Sequence, residues 1–492
     1  MTQRTESTVR FSVALGLVAL LIAALCTLPG APLSSPAWAQ VKSPDQIEYP
    51  PLPPIEIPTP RRVVLDNGMV VMLLEDHELP LVHATALVKT GERYEPADKI
   101  GLADLTGTVL RTGGTQNLAA DALDDFLESR AATIESSIGE DRGHVAMSCL
   151  KQDFPEVLRV FTDVLRRPAF AADRIEVAKT GARAGIARRN DDPQGIVFRE
   201  IQQVVFGEDS PYARESTFGT LAAITRDDLV AWHQTYYHPD RVILGLVGDF
   251  DSEQALALIR ETFGDWPRGA AVETPEVWFD QEPKPGVYLA DKADVTQTNI
   301  AMGHLGIRRD NPDYYALRVL NELFSGSMVS RLFSEVRTKR GLAYGVFGQV
   351  GADWDHPGLT LVWTSTKVDS TIEAVRVLLD EAKALRGERP PTAREVTEAK
   401  NAILASFVFD VDSRDEVLDE QLVLESFGYP LDRVAKFRER IDAVTVEDVQ
   451  RVAREHLRPD QFAIVVVGPA EAFEKDLEAF GEVKELDISI SP

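Results

Sequence analysis

Two stretches of this chain, 220 positions apart, spell the same pair of elements without a gap. Ile224–Gly248 reads ITRDDLVAWHQTYYHPDRVILGLVG and Val444–Gly468 reads VTVEDVQRVAREHLRPDQFAIVVVG, with six of 25 positions identical. In each, a Thr with an acid three residues on marks a helix start, a Pro-Asp pair marks its stop, and an apolar run of strand length follows. A helix feeding a buried strand thus occurs twice, near the ends of two long segments. The simplest account is two homologous domains, residues 61–272 and 286–482, joined by the acidic, proline-containing linker 273–285 and followed by a tail, 483–492.

Inside the halves, Phe154, Val157, Leu158, Phe161, Val164 and Leu165 recur at helical spacing, as do Ala316, Leu317, Val319, Leu320 and Leu323. Val63–Leu65 and Val70–Leu74, separated by Asp66-Asn67-Gly68, predict a hairpin, and Gly286–Leu289 and Leu359–Trp363 predict strands. The expected fold class is α+β, each domain a mixed or antiparallel sheet packed against helices on one face.

The first 39 residues form a separate piece. Arg4 and Arg10 precede the apolar run Phe11 to Leu28, and Ala37-Trp38-Ala39 supplies the small residues that signal cleavage needs. Residues 1–39 are therefore expected to direct export, to a bacterial periplasm, and to be cleaved before Gln40 or kept as a short membrane anchor. The stretch 40–60, with seven prolines between Ser43 and Pro60, is a stiff linker. Cleavage would remove Cys26 and leave Cys149 without a disulfide partner. The charge of -26, from 52 Lys+Arg against 78 Asp+Glu with no basic cluster, argues against a nucleic-acid partner.

The segments LDNGMVVMLLEDHELPLVHATALVKTGERYEP, GLADLTGTVLRTGGT, RRNDDP and SRLFSEVRTKRGLAYGV occur in that order between about residues 60 and 480. In this they resemble the M16 metallopeptidases, the family of pitrilysin, insulin-degrading enzyme and the mitochondrial processing peptidase. The resemblance implies half of a clam-shell chamber completed by a partner chain. Active members carry His-x-x-Glu-His for zinc and its water where this chain has Asp104, Gly107 and Thr108, and a third ligand, Glu, where it has Gly185. Asp104 alone is able to touch a metal. No two of the eight histidines are spaced i,i+4, and His233 and His238 read as a helix-surface and a helix-end residue. No metal is expected in this chain; zinc is expected in the partner.

The resemblance also implies roles for the family's Arg/Tyr motif, here Arg337 and Tyr344. Tyr344 would donate to the scissile carbonyl and Arg337 would grip substrate backbone, both suitable donors for a developing oxyanion. Ser325-Gly326-Ser327-Met328 resembles the family's glycine-containing loop, though a plain turn also accounts for it. Ala131, Thr133, Ile134, Glu135 and Ser136 match the edge strand that pairs with an extended substrate. Gly-x-Ser-x-Gly and phosphate-loop motifs are absent, and Cys149 reads as a buried structural thiol. The expected function is an exported M16 subunit, inactive alone, that lends Arg337 and Tyr344 to a heterodimeric zinc peptidase acting on peptides or unfolded proteins. The alternative is a noncatalytic scaffold or peptide-binding protein.

Overall fold

The computed structural model describes residues 57–275 and 279–490; the expected leader 1–39 and most of the linker 40–60 lie outside the described residues. The first half forms a six-stranded sheet from β1 (Arg61–Val64), β2 (Val70–Glu75), β3 (Leu81–Val88), β4 (Thr133–Ile138), β5 (Gly143–Leu150) and β6 (Val242–Gly248), in the order β1-β2-β6-β3-β5-β4. The second half repeats the plan with β7 (Gly286–Asp291), β8 (Gln297–Leu305), β10 (Ala343–Gln349), β12 (Leu359–Lys367), β13 (Ala463–Gly468) and β14 (Val483–Glu485), in the order β10-β12-β8-β13-β7-β14. A short parallel pair, β9 (Ile307–Arg308) with β11 (Ala352–Asp353), stands apart. Both large sheets are mixed: β6 is parallel to β2 and antiparallel to β3, and β13 is parallel to β7 and antiparallel to β8.

The helices that matter below are α1 (Leu102–Thr112), α2 (Ala172–Arg188), α3 (Pro193–Phe206), α4 (Arg226–Tyr236), α5 (Arg414–Phe427) and α6 (Val446–His456). The two sequence copies become α4–β6 and α6–β13. Thr225 with Asp228, and Thr445 with Asp448, close capping boxes at the two helix starts. One 3-10 turn at Pro239 or Pro459 then redirects the chain into a strand whose every residue is buried.

That complete burial corrects the expectation of helices on one face. Each half covers one face of its own sheet with its own helices, but the opposite face is covered by a helix from the other half. Val417, Leu418 and Leu422 of α5 lie against Met72, Leu74, Ile243 and Val247 of the first sheet. Ile196, Val197 and Ile201 of α3 lie against Tyr288, Ala301, Leu361 and Val465 of the second. Strands covered on both faces are continuously apolar, as β6 and β13 are. Gly245 makes the exchange fit, since a Cβ there would stand 2.6 Å from Leu422 Cδ1.

Polar ties join the halves as well. Arg93 pairs with Asp355, and the His356 ring stacks on Tyr212 at 3.6 Å. The tail returns to the first half, where the Asn190 amide donates to the Ile488 carbonyl. No helix among the described residues is long and apolar enough to cross a membrane.

Candidate functional site

Helix α1 starts where Glu95 accepts the backbone N–H groups of Gly101 (3.0 Å) and Ala103 (2.6 Å), so a carboxylate sits at the positive end of the helix. The buried stripe of Leu102, Leu105, Thr106, Val109 and Leu110 leaves Asp104 and Thr108, four residues apart, on the exposed face. Burial by the walls around it nevertheless raises the Asp104 carboxyl above its usual range. Glu92 nearby is pushed up to about 7, first by burial and then by repulsion from Glu95, Glu140, Asp104 and Glu215. The recess beside Asp104 is therefore acidic.

Gly107 lies on the buried side, against β4. A Cβ there would stand 2.4 Å from the Ile138 nitrogen and 2.7 Å from the Ser137 carbonyl carbon, so a glutamate does not fit. Gly185, on α2, has nothing within 4 Å of its Cβ direction. Among the described residues, Asp104 belongs to no convergent group of metal-binding side chains. With one carboxylate, two glycines and a threonine, these four positions do not fit a zinc ion. The convergent trio Asp313, Glu455 and His456 lies elsewhere, and Arg451 already neutralises it, reaching Asp313 at 2.6 and 3.0 Å and Glu455 at 2.8 Å.

Strand β4 ends the first sheet, as an edge strand must. Its odd-numbered residues pair with β5, which turns the backbone groups of Ile134, Ser136 and Ile138 outward. Part of that edge is already taken. Arg111 Nε donates to the Ile134 carbonyl at 3.0 Å while its guanidinium pairs with Asp124 at 2.5 Å, and Ser136 Oγ donates to the Gly107 carbonyl at 2.6 Å. Thr133 and Glu135 point to solvent and Ile134 is fully buried. Ala131 is corrected: its φ of 49° places it in the turn before the strand, not in it.

The second half builds its site from irregular helix. Two π-helical segments, Glu322–Gly326 and Ser334–Lys339, bracket the Ser327–Ser330 loop and the short helix Arg331–Phe333. π-segments cluster at functional sites because they displace side chains from the ordinary helical faces. Arg337, on the second segment, has its guanidinium carbon 4.6 Å from the Tyr344 ring centre and 4.9 Å from that of Phe333. Its neighbours are spent on carboxylates: Arg331 on Glu395, Lys339 on Glu335, Arg340 on Glu335 and Glu373. Arg337 has no carboxylate partner among the described residues.

Tyr344 is on β10, the edge strand of the second sheet. Ala343 pairs with Thr366 and Val346 with Thr364, so Tyr344 and Gly345 together oppose Ser365 in a β-bulge. The bulge drives the Tyr344 side chain outward to 84% exposure, with the Arg337 guanidinium over its ring. The structure sets Arg337 and Tyr344 side by side; sequence reasoning missed Arg111, whose reach to Ile134 has no local signature, and the π-segments. It also misread His233, which is half-buried, bonds the Leu165 carbonyl at 2.8 Å and is lowered to about 4, chiefly by burial. Cys149 is buried and its thiol pushed up to about 12 by burial, an inert group.

Residues 70–214 match the family model described as Insulinase (Peptidase family M16), and residues 223–403 match Peptidase M16 inactive domain, more than half of the chain between them. An uncharacterized zinc protease of Mycobacterium tuberculosis is 27% identical over 427 residues, 85% of this chain and 95% of that protein. One of Bacillus subtilis is 22% identical over 414 residues, 83% of this chain and 98% of that protein. Among solved structures, a peptidase M16 inactive domain from Pseudomonas fluorescens aligns with TM-score 0.75 and 25% identity, over 84% of this chain and 98% of its own. A protease from Helicobacter pylori shares the fold, with TM-score 0.73 and 20% identity over 84% and 100%. Two family models in chain order, over two homologous α+β halves, show that this chain belongs to the M16 peptidase family.

Proposed function

We propose that this chain is the metal-free subunit of a two-chain M16 peptidase, exported to a bacterial periplasm and paired with a zinc-bearing M16 subunit. The observation that carries the reading is Arg337 without a carboxylate partner, set over a Tyr344 ring that a β-bulge projects into solvent. A core or surface role asks for neither feature. In the complex the Tyr344 hydroxyl donates to the oxyanion that develops at the scissile carbonyl, and Arg337 holds substrate backbone on the same side. The metal and its ligands belong to the partner, because Asp104, Gly107, Thr108 and Gly185 do not make a ligand set.

The test is reconstitution. The purified chain should leave unfolded protein intact alone, co-purify with a zinc-bearing M16 partner, and support cleavage in that complex beyond what the partner achieves by itself. Cleavage by this chain alone, or a partner whose rate is indifferent to it, would contradict the proposal.

A further inference from the structure

We infer that a cleft in the second half, sharing no residue with the Arg337–Tyr344 site, binds a di- or tripeptide that has free ends and an apolar side chain. The cleft has a volume of about 480 Å³ and lies where α5 meets the helices Tyr314–Asn321 and Arg433–Asp442 and the 3-10 turn Phe407–Asp410. A volume of that order suits a small ligand. Rings of Tyr314, Phe407, Phe409 and Phe437 line it, and Phe409 is left 68% exposed. Charges of both signs line it too: Arg309, Arg318 and Arg433, with Asp410, Asp419 and Glu420. Among the described residues, none of these six forms an ion pair within 4 Å. Elsewhere the chain spends its arginines on carboxylates, as at Arg331, Arg389 and Arg451.

Two of the arginines are held in place without being neutralised. Arg309 Nε donates to the Ala352 carbonyl at 3.1 Å, and its guanidinium carbon lies 4.0 Å from the Trp354 ring centre. Arg433 donates to the Arg309 carbonyl at 3.0 Å and lies 4.7 Å from the Tyr314 ring centre. Stacking on a ring and bonding to a carbonyl fix a guanidinium but leave its charge for a ligand. Arg318 makes no hydrogen bond among the described residues. The carboxyls show the same want of partners: loss of water in the cleft, then repulsion from Asp415 and Glu416, push Asp419 up to about 6. Asp410 and Glu420 are raised as well, since more distant arginines offset only part of that loss. Such a cleft fits a ligand that brings a carboxylate to the arginines, an ammonium to the acids and an apolar side chain to the phenylalanines. A short peptide carries all three, with its charges at opposite ends. The arginines and the acids likewise stand on different elements, the acids on α5 and the 3-10 turn.

The test is calorimetric titration of the purified chain with the dipeptide Leu-Phe, its N-acetylated and C-amidated analogues, and free phenylalanine. The dipeptide should bind, and blocking either end should weaken it about tenfold or more, because each block removes one charge-assisted contact. Arg318→Met and Asp419→Asn change side chains that make no hydrogen bond or ion pair among the described residues, so the fold is kept, and each should weaken the dipeptide by a similar factor. Phe409→Ser, at an exposed ring, should weaken it several-fold. Arg337→Ala should leave the titration unchanged. No uptake of the dipeptide at millimolar concentration, equal binding of the blocked analogues, or phenylalanine binding as tightly as the dipeptide would overturn the inference. So would binding that Arg337→Ala abolishes while Arg318→Met and Asp419→Asn do not, since the peptide would then occupy the Arg337–Tyr344 site instead.

Discussion

A Cβ built on Gly107 would stand 2.4 Å from the backbone nitrogen of Ile138. Helix α1 is seated on strand β4 at the position that the sequence resemblance aligns with the general base of active members. Gly107→Ala should therefore force α1 away from β4 and destabilise the chain by about 1–3 kcal/mol, the usual cost of overpacking. Urea unfolding measures it. An unchanged midpoint would mean that the two elements slide apart freely.

The same contact decides what restoring the ligands would do. Gly185 faces open space, so Gly185→Glu is accommodated, whereas Gly107→Glu is not. The combination Asp104→His, Gly107→Glu, Thr108→His and Gly185→Glu should take up no stoichiometric zinc, and neither should the natural chain. Elemental analysis after mild chelation tests both, and about one zinc per chain in either would contradict the account.

Stability should depend on pH through Glu92. Its carboxyl, pushed up to about 7 in the fold from an ordinary 4.5, keeps a proton that the unfolded chain has already released between those values. The unfolded state binds fewer protons there, so stability falls as pH rises through that window. Glu92→Gln should lessen the decline, to which other buried carboxyls such as Asp419 also contribute, leaving the variant more stable than the natural chain above pH 7 by on the order of 1–2 kcal/mol and no different below about pH 4. Urea midpoints across that range decide it, and an equal difference at every pH would exclude Glu92 as the cause.

Between the halves, Arg93 and Asp355 form a pair in which the arginine side chain is 9% exposed. Burial alone would raise Asp355, but hydrogen bonds from His356 and Arg93 and their charges hold it down to about 2. Its contribution is present above the ordinary carboxylate range and is lost as pH falls through that range towards 2. Asp355→Asn leaves a buried guanidinium uncompensated and should cost about 3 kcal/mol at neutral pH, where Arg93→Met with Asp355→Leu together should cost less. A double-mutant cycle with no coupling would show that the pair is incidental.

How far the sequence reveals this molecule follows from the range of each interaction. The α4–β6 and α6–β13 repeats were readable because capping, proline stops and apolar runs act within a few residues. The apolar run Val242–Gly248 is legible in the sequence, but nothing local to it says that its second face is covered, or that the cover is α5, some 170 residues on. The Arg337 and Tyr344 positions followed from a motif. Their setting did not, since a π-segment and a bulge depend on how Glu322–Lys339 packs against β10. Ala131 was misplaced by two residues, the usual uncertainty of a strand boundary. Arg111 was missed because a long side chain crossing a strand edge leaves no pattern.

The central claim is that Arg337 and Tyr344 act on a substrate whose metal chemistry belongs to another chain. Its most direct measurement is peptide cleavage by the reconstituted two-chain complex, with assembly verified for each variant. Tyr344→Phe keeps the ring beneath Arg337 and deletes one donor to the oxyanion; turnover should fall about 10²–10³-fold, roughly 3–4 kcal/mol. Arg337→Ala should raise KM as well as lower kcat, because the guanidinium also holds the ground-state backbone. Variants that assemble normally and cleave at the natural rate would contradict the claim and leave the Arg337–Tyr344 stack a structural feature.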